Sequence, residues 1–502
     1  MKKRNLSLLI GLLLTGCSMT PDYQVNDTIT VDAVYLHDAT QGESHIEHDA
    51  WWKKFNDPQL DQLIEQVQQQ NITIQLAAQR IQSAKAYETS ISSFKIPTVS
   101  VGAGGFSYGI SEKDPLLGGA VSGINLGGQK LALDNDYQGT VVGANISWEM
   151  DIFGKIDSLS NAASIRIEQA EIIQQGMVTL ITADVVHNYL QYRGAQARLA
   201  IAKRNIDEQQ QTLDMVKSLV KSGYGSELDL ANASAALATV KATQTVFETA
   251  EKVHLYRLAT LLGQHPSQVT HKFSQAPLPL VTGQIPVGLP SDLLKRRTDI
   301  AFAERDMAAI NEELGASIAA QYPSFFITAS PATLAKNADD LFSSGSASWM
   351  GGIGVKWNII DGGRGQAMVD LQESRFKQAS LGYQQTVNDA FNEVETSLMS
   401  YGNSLKFYQQ LNAAANQTQT AVSKAKSLYK AGLIDYLQVL DAQRQDNLMQ
   451  DGLVVAQLNI ASNLILVNKA LGGDWSAAKS TQLLDKKVQA NQVQNKQAQA
   501  VE

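Results

Sequence analysis

The feature that most constrains this chain is that it is written twice. A shift of 209 positions lays ISWEMDIFGK (146–155) over VKWNIIDGGR (355–364), with Trp148 on Trp357 and Gly154 on Gly363. Without a gap, the same shift puts Tyr192 on Tyr401, Lys221 on Lys430, Gly223 on Gly432, Leu228 on Leu437 and Leu262-Gly263 on Leu471-Gly472. Upstream the offset becomes 226, with Ile74 on Ile300, Ala77 on Ala303 and Pro97 on Pro323. The 17-residue change falls in a loop-like stretch, EKDPLLGGAVSGINLGGQ. Each identity is weak alone; their constant spacing is not. Each half therefore reads as helix, strand, loop, strand, very long helix, tight turn and helix.

The strands alternate with period two. In VVGANISWEM, Val142, Ala144, Ile146, Trp148 and Met150 point one way, and Gly143, Asn145, Ser147 and Glu149 the other. In WMGGIGVKWNI, Trp349, Ile353, Val355, Trp357 and Ile359 alternate with Gly352, Gly354, Lys356 and Asn358. Partner strands begin after Pro97 and Pro323. Alternation over about ten residues with aromatics near the ends marks an outer-membrane strand, although each segment alone equally suits a half-buried soluble strand. Four strands cannot close a barrel, and open edges in lipid leave backbone groups unsatisfied. Copies must associate: two chains give eight strands with a filled interior, and three give twelve with room for a lumen.

The helices are long. No proline interrupts Gly154 to Ser222, which at 1.5 Å per residue is roughly 100 Å of helix. Its apolar positions step by seven through Ile156, Ala163, Ala170 and Met177, then, after one skip, through Val185, Tyr192, Leu199, Ile206, Leu213 and Val220. Sustained heptads predict coiled-coil packing. The turns that follow, Gly223-Tyr224-Gly225-Ser226 and Gly432-Leu433-Ile434-Asp435, end one helix with glycine and offer a short polar cap for the next. Chain reversal explains the glycines. Apolar Tyr224, Leu433 and Ile434 at such a tip point instead to a docking surface. One turn further on, Leu437 and Asp441 share a helix face. Spacing alone favours seam packing for Leu437 and a solvated Asp441; inward in a ring of copies, the pair would make stacked apolar and acidic rings able to filter or close a pore.

The N-terminus reads as a processing signal: Lys2, Lys3 and Arg4, an apolar run from Leu6 to Leu14, then Leu14-Thr15-Gly16-Cys17. Small residues before the only cysteine resemble a bacterial lipoprotein cleavage site, with lipid carried on Cys17, and Ser18 after it favours sorting to the outer membrane. That use of Cys17 leaves no thiol chemistry. Loss of the three leader charges leaves 38 of 41 basic residues against 49 acidic ones, a balance that argues against nucleic acid as a partner. The boundaries are a signal peptide (1–16), an anchor and linker (17–58), a first repeat (59–264; hairpin 97–150, helices 154–222 and 226–263), a Pro-rich linker (265–296), a second repeat (297–473; hairpin 323–360, helices 363–430 and 434–472) and a loose tail (474–502).

No catalytic, cofactor or metal constellation stands out, so an enzyme is not expected. His45 and His48 share helical spacing without a clear acidic partner set. DGGRG (361–365) lacks the ending of a phosphate loop, and DNDYQG (134–139) lacks the closing Glu of a calcium loop.

The lipoprotein signal, WWKKFNDPQLDQLI (51–64), SWEMDIFGK (147–155), VGLPSDLLKRRTDIAFAE (287–304) and AGLIDYLQVLDAQR (431–444) together resemble the TolC-like outer-membrane efflux factors of the lipoprotein branch. Thr298 departs from the proline common there, which should touch only a helix start. The resemblance implies a mixed α and β membrane protein whose homotrimer forms a 12-stranded β-barrel continued by a periplasmic α-helical coiled-coil barrel. It implies an outer-membrane channel for drugs or other small toxic compounds, docked at its tips onto a periplasmic membrane-fusion adaptor and powered by an inner-membrane pump of the RND type. It places the tips at Gly223 to Leu228 and Gly432 to Leu437, a periplasmic gate at Leu437 and Asp441, and a gate tyrosine at Tyr429. Gln438 stands where certain relatives carry a second acid, so a double acidic ring is not expected. The alternatives are a type I protein-secretion duct and a lumenless structural lipoprotein.

Overall fold

A computed structural model describes residues 19–23, 34–37, 50–111, 113–115, 124–126, 129–131, 136–270, 272–283, 285 and 290–473. Cys17, residues 1–16 expected as a signal peptide, His45, His48 and residues 474–502 lie outside these residues. The described chain forms two compact units, one from Ser83–Ile167 and Asp306–Ser380 with residues 19–23, the other from the remainder.

The first unit holds the sheet. Strands β1 (Thr98–Gly109), β4 (Asp136–Met150), β5 (Ser324–Ala335) and β6 (Ala347–Lys356) are antiparallel in the order β1-β4-β5-β6. The two hairpins are thus joined through β4 and β5, one from each repeat. Within the first hairpin's loop, β2 (Ile124–Leu126) and β3 (Gln129–Leu131) make a short ladder of their own. Register puts Trp148, Ile327 and Ile353 side by side, and likewise Met150, Phe325 and Val355, and Val99, Ile146 and Ala329. One face is therefore apolar. The next residues along, Ser147, Thr328 and Gly352, form a small, polar row of the other face, which also carries Glu149, Phe326, Val141 and Leu334. Val101, Trp349 and Ile353 are 78 %, 82 % and 75 % exposed, a pattern no aqueous protein surface sustains over a whole sheet. Strand β6 stops at Lys356, short of the predicted Trp357 and Ile359. The partner strand begins at Ser324, opposite Lys356, and Pro323 before it has no N–H to extend the ladder; Trp357, just beyond, donates its indole Nε1 to the carbonyl of Gln321 at 3.0 Å.

That bond has a twin. Trp148 Nε1 donates to the Lys95 carbonyl at 3.1 Å, and the two bonds are related by the same offsets that relate the sequences. The duplication extends to contacts whose residue types differ. Asn71 Nδ2 donates to the Leu261 carbonyl at 2.7 Å, and its counterpart Arg297 donates through Nη1 to the Ala470 carbonyl at 2.9 Å. Geometry has been kept where chemistry has drifted.

The second unit is helical, and α2, α3, α7 and α8 supply residues to both. Asp57 caps α1 (Pro58–Gln70), accepting from Gln59 N at 2.9 Å with Pro58 at the first position, where a missing N–H costs nothing. Asn71 interrupts the chain and caps α2 (Ile72–Ser92) through Thr73 N at 2.9 Å. Then follow α3 (Lys155–Lys221), α4 (Glu227–Leu261), the short α5 (Pro266–Val269) and α6 (Pro290–Arg296), α7 (Thr298–Ala319), α8 (Arg364–Lys430) and α9 (Tyr436–Ala470). None of the ten heptad positions named on α3 is exposed. The sequence after the leader is expected to hold no helix of membrane-spanning length, yet by length and composition α9 contains one such stretch; half of it is buried, so core packing uses its apolarity. The main core joins Trp51, Leu63 and Ile64 to Val185 and Tyr189 of α3, Leu258 of α4, Val387 of α8 and Leu464 of α9.

At its edge lies a guanidinium that sequence reading did not single out. Arg193 is fully buried, donating to the Tyr189 hydroxyl (2.7 Å), Gln59 Oε1 (2.9 Å), Gln196 Oε1 (3.0 Å) and the Ser274 carbonyl (2.5 Å). Tyr189 in turn donates to Asp57 at 2.5 Å. The hub ties α3 to the start of α1 and to the inter-repeat linker. Arg193→Ala removes the donor from Tyr189, Gln59 and Gln196 and should cost about 1–3 kcal/mol. Helical circular dichroism should then be lost at a lower temperature; an unshifted melting curve would contradict the hub.

Candidate functional site

The two helical turns are built alike. Gly223 and Gly432 take φ of 78° and 74°, the left-handed region where a Cβ is strained. Tyr224 N bonds back to the Leu219 carbonyl at 3.0 Å and Leu433 N to the Leu428 carbonyl at 3.0 Å, closing both helix ends in the same way. The restarts differ. Ser226 Oγ accepts from Asp229 N at 3.1 Å while Asp229 reaches back to Ser226 N, a complete capping box. Asp435 makes no side-chain cap bond, contrary to expectation; its backbone carbonyl takes the bond from Gln438 N at 3.1 Å.

Tyr224 and Leu433 are 88 % and 70 % exposed, with nothing covering them. Ile434 is not exposed as the sequence suggested. It packs against a small core of Leu213, Val216, Leu237, Tyr429, Tyr436 and Val439. Its repeat counterpart is Gly225, where a Cβ would meet Val220 N at 3.0 Å. The apolar docking candidates that remain exposed are one per turn.

Tyr429 is buried within that core. Its ring lies 5.7 Å from that of Tyr436 at 54°, and its hydroxyl has no partner among the described residues. Burial, with Asp229, Tyr436 and Asp435 nearby, pushes its phenol above the ordinary value. Tyr436 receives a bond from Gln209 at 3.1 Å. Tyr429 is thus packing between α8 and α9 inside one copy.

Leu437 and Asp441 lie on the opposite, open side of α9. They line one groove with Thr418 and Ala421 of α8 and with Gln438, Ala442, Arg444 and Gln445. Leu437 is 64 % exposed and its repeat counterpart Leu228 is 68 % exposed, so neither is seam packing within the protomer. Asp441 is exposed and carries no ion pair or hydrogen bond among the described residues. Arg444, three residues on, was missed by sequence reading; only the helical face it shares with Asp441 signals it.

An apolar-faced antiparallel sheet with free edges, carried on duplicated hairpins of very long helices, defines an integral outer-membrane channel protein. The chain belongs to the outer membrane efflux protein family, whose model matches residues 63–264 and 289–473. It is 29 % identical over 488 residues to the solvent efflux pump outer membrane protein SrpC of Pseudomonas putida, covering 96 % of this chain and 100 % of that one. It is 28 % identical over 491 residues to the cation efflux system protein CusC of Escherichia coli O6:H1, covering 94 % and 98 %. The outer-membrane channel OprN superposes with a TM-score of 0.81 at 27 % identity, over 91 % of this chain and 99 % of that one. This protein is an outer-membrane efflux channel.

Proposed function

We propose that three copies close their sheets into one twelve-stranded barrel and conduct drugs or other small toxic compounds outward, passively, from partner proteins that supply the energy. The observation that carries this reading is the sheet itself: β1 and β6 each pair on one side only, and apolar side chains cover a face that nothing else covers. In lipid each unpaired backbone group costs several kcal/mol, so the edges must find each other. Three copies leave a lumen lined by the other face, including the small residues Gly102, Gly143 and Gly352.

In that trimer the grooves of Leu437 and Asp441 face the axis as the periplasmic gate, with Tyr429 packing behind them. A periplasmic membrane-fusion adaptor docks on the tips, Gly223 to Ser226 and Gly432 to Asp435, chiefly through Tyr224 and Leu433. An inner-membrane pump of the RND type drives transport, and lipid on Cys17 anchors the N-terminus. The relatives named for solvents and for cations share this one fold, which supports placing substrate choice in the pump.

A strain lacking the chain should become more susceptible across a panel of antibiotics, detergents and solvents. Tyr224→Asp or Leu433→Asp should restore resistance poorly, each weakening adaptor binding about tenfold as lost apolar anchors do. Full restoration by both variants would contradict docking at the tips.

A further inference from the structure

Glycine inside a helix needs a reason, because alanine is the better helix former there. Gly315 lies within α7, and a Cβ on it would fall 2.3 Å from Thr20 Oγ1 and 2.7 Å from Thr20 Cα. The second of these is backbone and cannot swing aside. The stretch a few residues after Cys17 is therefore laid directly on the helix. Its polar groups are met as well. Thr20 Oγ1 hydrogen-bonds Ser158 Oγ at 2.9 Å and donates to Glu312 Oε2 at 3.3 Å, while Asn311 Nδ2 donates to the Pro21 carbonyl at 2.8 Å. Ser158 and Asn311 are each only 3 % exposed. Buried polar side chains of α3 and α7 turn towards this strap.

The position of the seat carries a consequence. Ser158 lies four residues past Gly154, a rise of about 6 Å along α3. Just before Gly154 comes an aromatic rim: Trp148 and Trp357 on their twin carbonyls, and Phe153 stacked on Tyr322 at 4.8 Å. Indoles and phenols in such belts sit at headgroup level. Thr20 is three residue steps on from Cys17, a reach of about 11 Å when extended. That reach spans the distance from seat to rim with Thr20 still in place.

We propose that the α3–α7 cleft around Gly315 is a seat for the segment following Cys17, so that lipid on that cysteine enters the bilayer at the aromatic rim, held to the channel wall and not on a loose leash. The inference rests on Cys17 being lipidated. Anchor and barrel then share one height in the membrane.

The test places cysteines at Thr20 and Ser158 in the full chain, oxidises isolated outer membranes with copper phenanthroline, and maps peptides by mass. The expected result is an intrachain disulfide in most chains. Gly315→Ala should lower that fraction about fivefold or more by displacing the strap. Gly382→Ala in α8, where a Cβ meets nothing within 4 Å, should leave it unchanged. Cross-linking no greater than for the pair Thr20→Cys with Lys377→Cys, or insensitive to Gly315→Ala, would overturn the seat. The same mass map reads the N-terminal peptide. An unacylated Cys17 with the cross-link intact would overturn the anchor reading alone, whereas an acylated Cys17 without the cross-link would overturn the seat alone.

Discussion

Asp441→Asn should abolish block of the channel by divalent cations in planar bilayers and raise its conductance. In the proposed trimer three carboxylates face one axis, and no ion pair or hydrogen bond among the described residues occupies Asp441. At a separation of roughly 8 Å and an effective dielectric of about 20, each carboxylate pair repels by about 2 kcal/mol. A divalent cation on the axis relieves all three repulsions and adds its own attraction, so the ring should bind it well and the neutral variant should not. The loss should exceed tenfold in blocking concentration, since about 1.4 kcal/mol already gives that factor. Leu437→Ala, one turn before, should raise conductance while keeping the divalent sensitivity, because it removes bulk without charge. Unchanged conductance and unchanged cation sensitivity in Asp441→Asn would remove the gate assignment.

Val101→Arg and Ser100→Arg, neighbours on β1, should behave as opposites. Val101 lies beside Ala144 on the apolar face, four strand positions (about 13 Å) in from the level of Trp148, and Ser100 lies beside Asn145 on the other face. A charged side chain on the lipid face near mid-bilayer costs about 2–4 kcal/mol, and on the lumen side little. A trimer carries the penalty three times. Val101→Arg should therefore leave little assembled protein in the outer membrane, while Ser100→Arg should assemble normally and alter ion selectivity. Equal assembly of the two variants would mean that the apolar face does not meet lipid.

Much of this architecture is legible from spacing alone, because spacing is what secondary structure preserves. The period-two runs become β4 and β6, the glycines at 223 and 432 adopt positive φ, and the heptad positions of α3 all turn away from solvent. Thr298, where the family pattern differs, is simply the first residue of α7. What escaped depends on residues distant in the chain. Ile434 looks like an exposed tip residue until the core between α3, α4, α8 and α9 is assembled beneath it. Trp357 continues the strand pattern, but the position opposite it is Pro323, outside β5, so the ladder stops at Lys356. Arg193 and Gly315 carry no local signal at all; each is explained by partners more than 100 positions away, Gln59 for one and Thr20 for the other. Asn71 and Arg297 share a role that no residue-by-residue matching would reveal. Leu437 and Asp441 were legible as a shared face, but only the fold shows that face left open within the protomer.

The most direct measurement is to purify the mature chain, determine the mass of its assembly in detergent, and record single-channel currents from the same preparation in planar bilayers. The account predicts a three-chain assembly that conducts ions. A chain that stays monomeric and water-soluble without detergent, and passes no current, would contradict it.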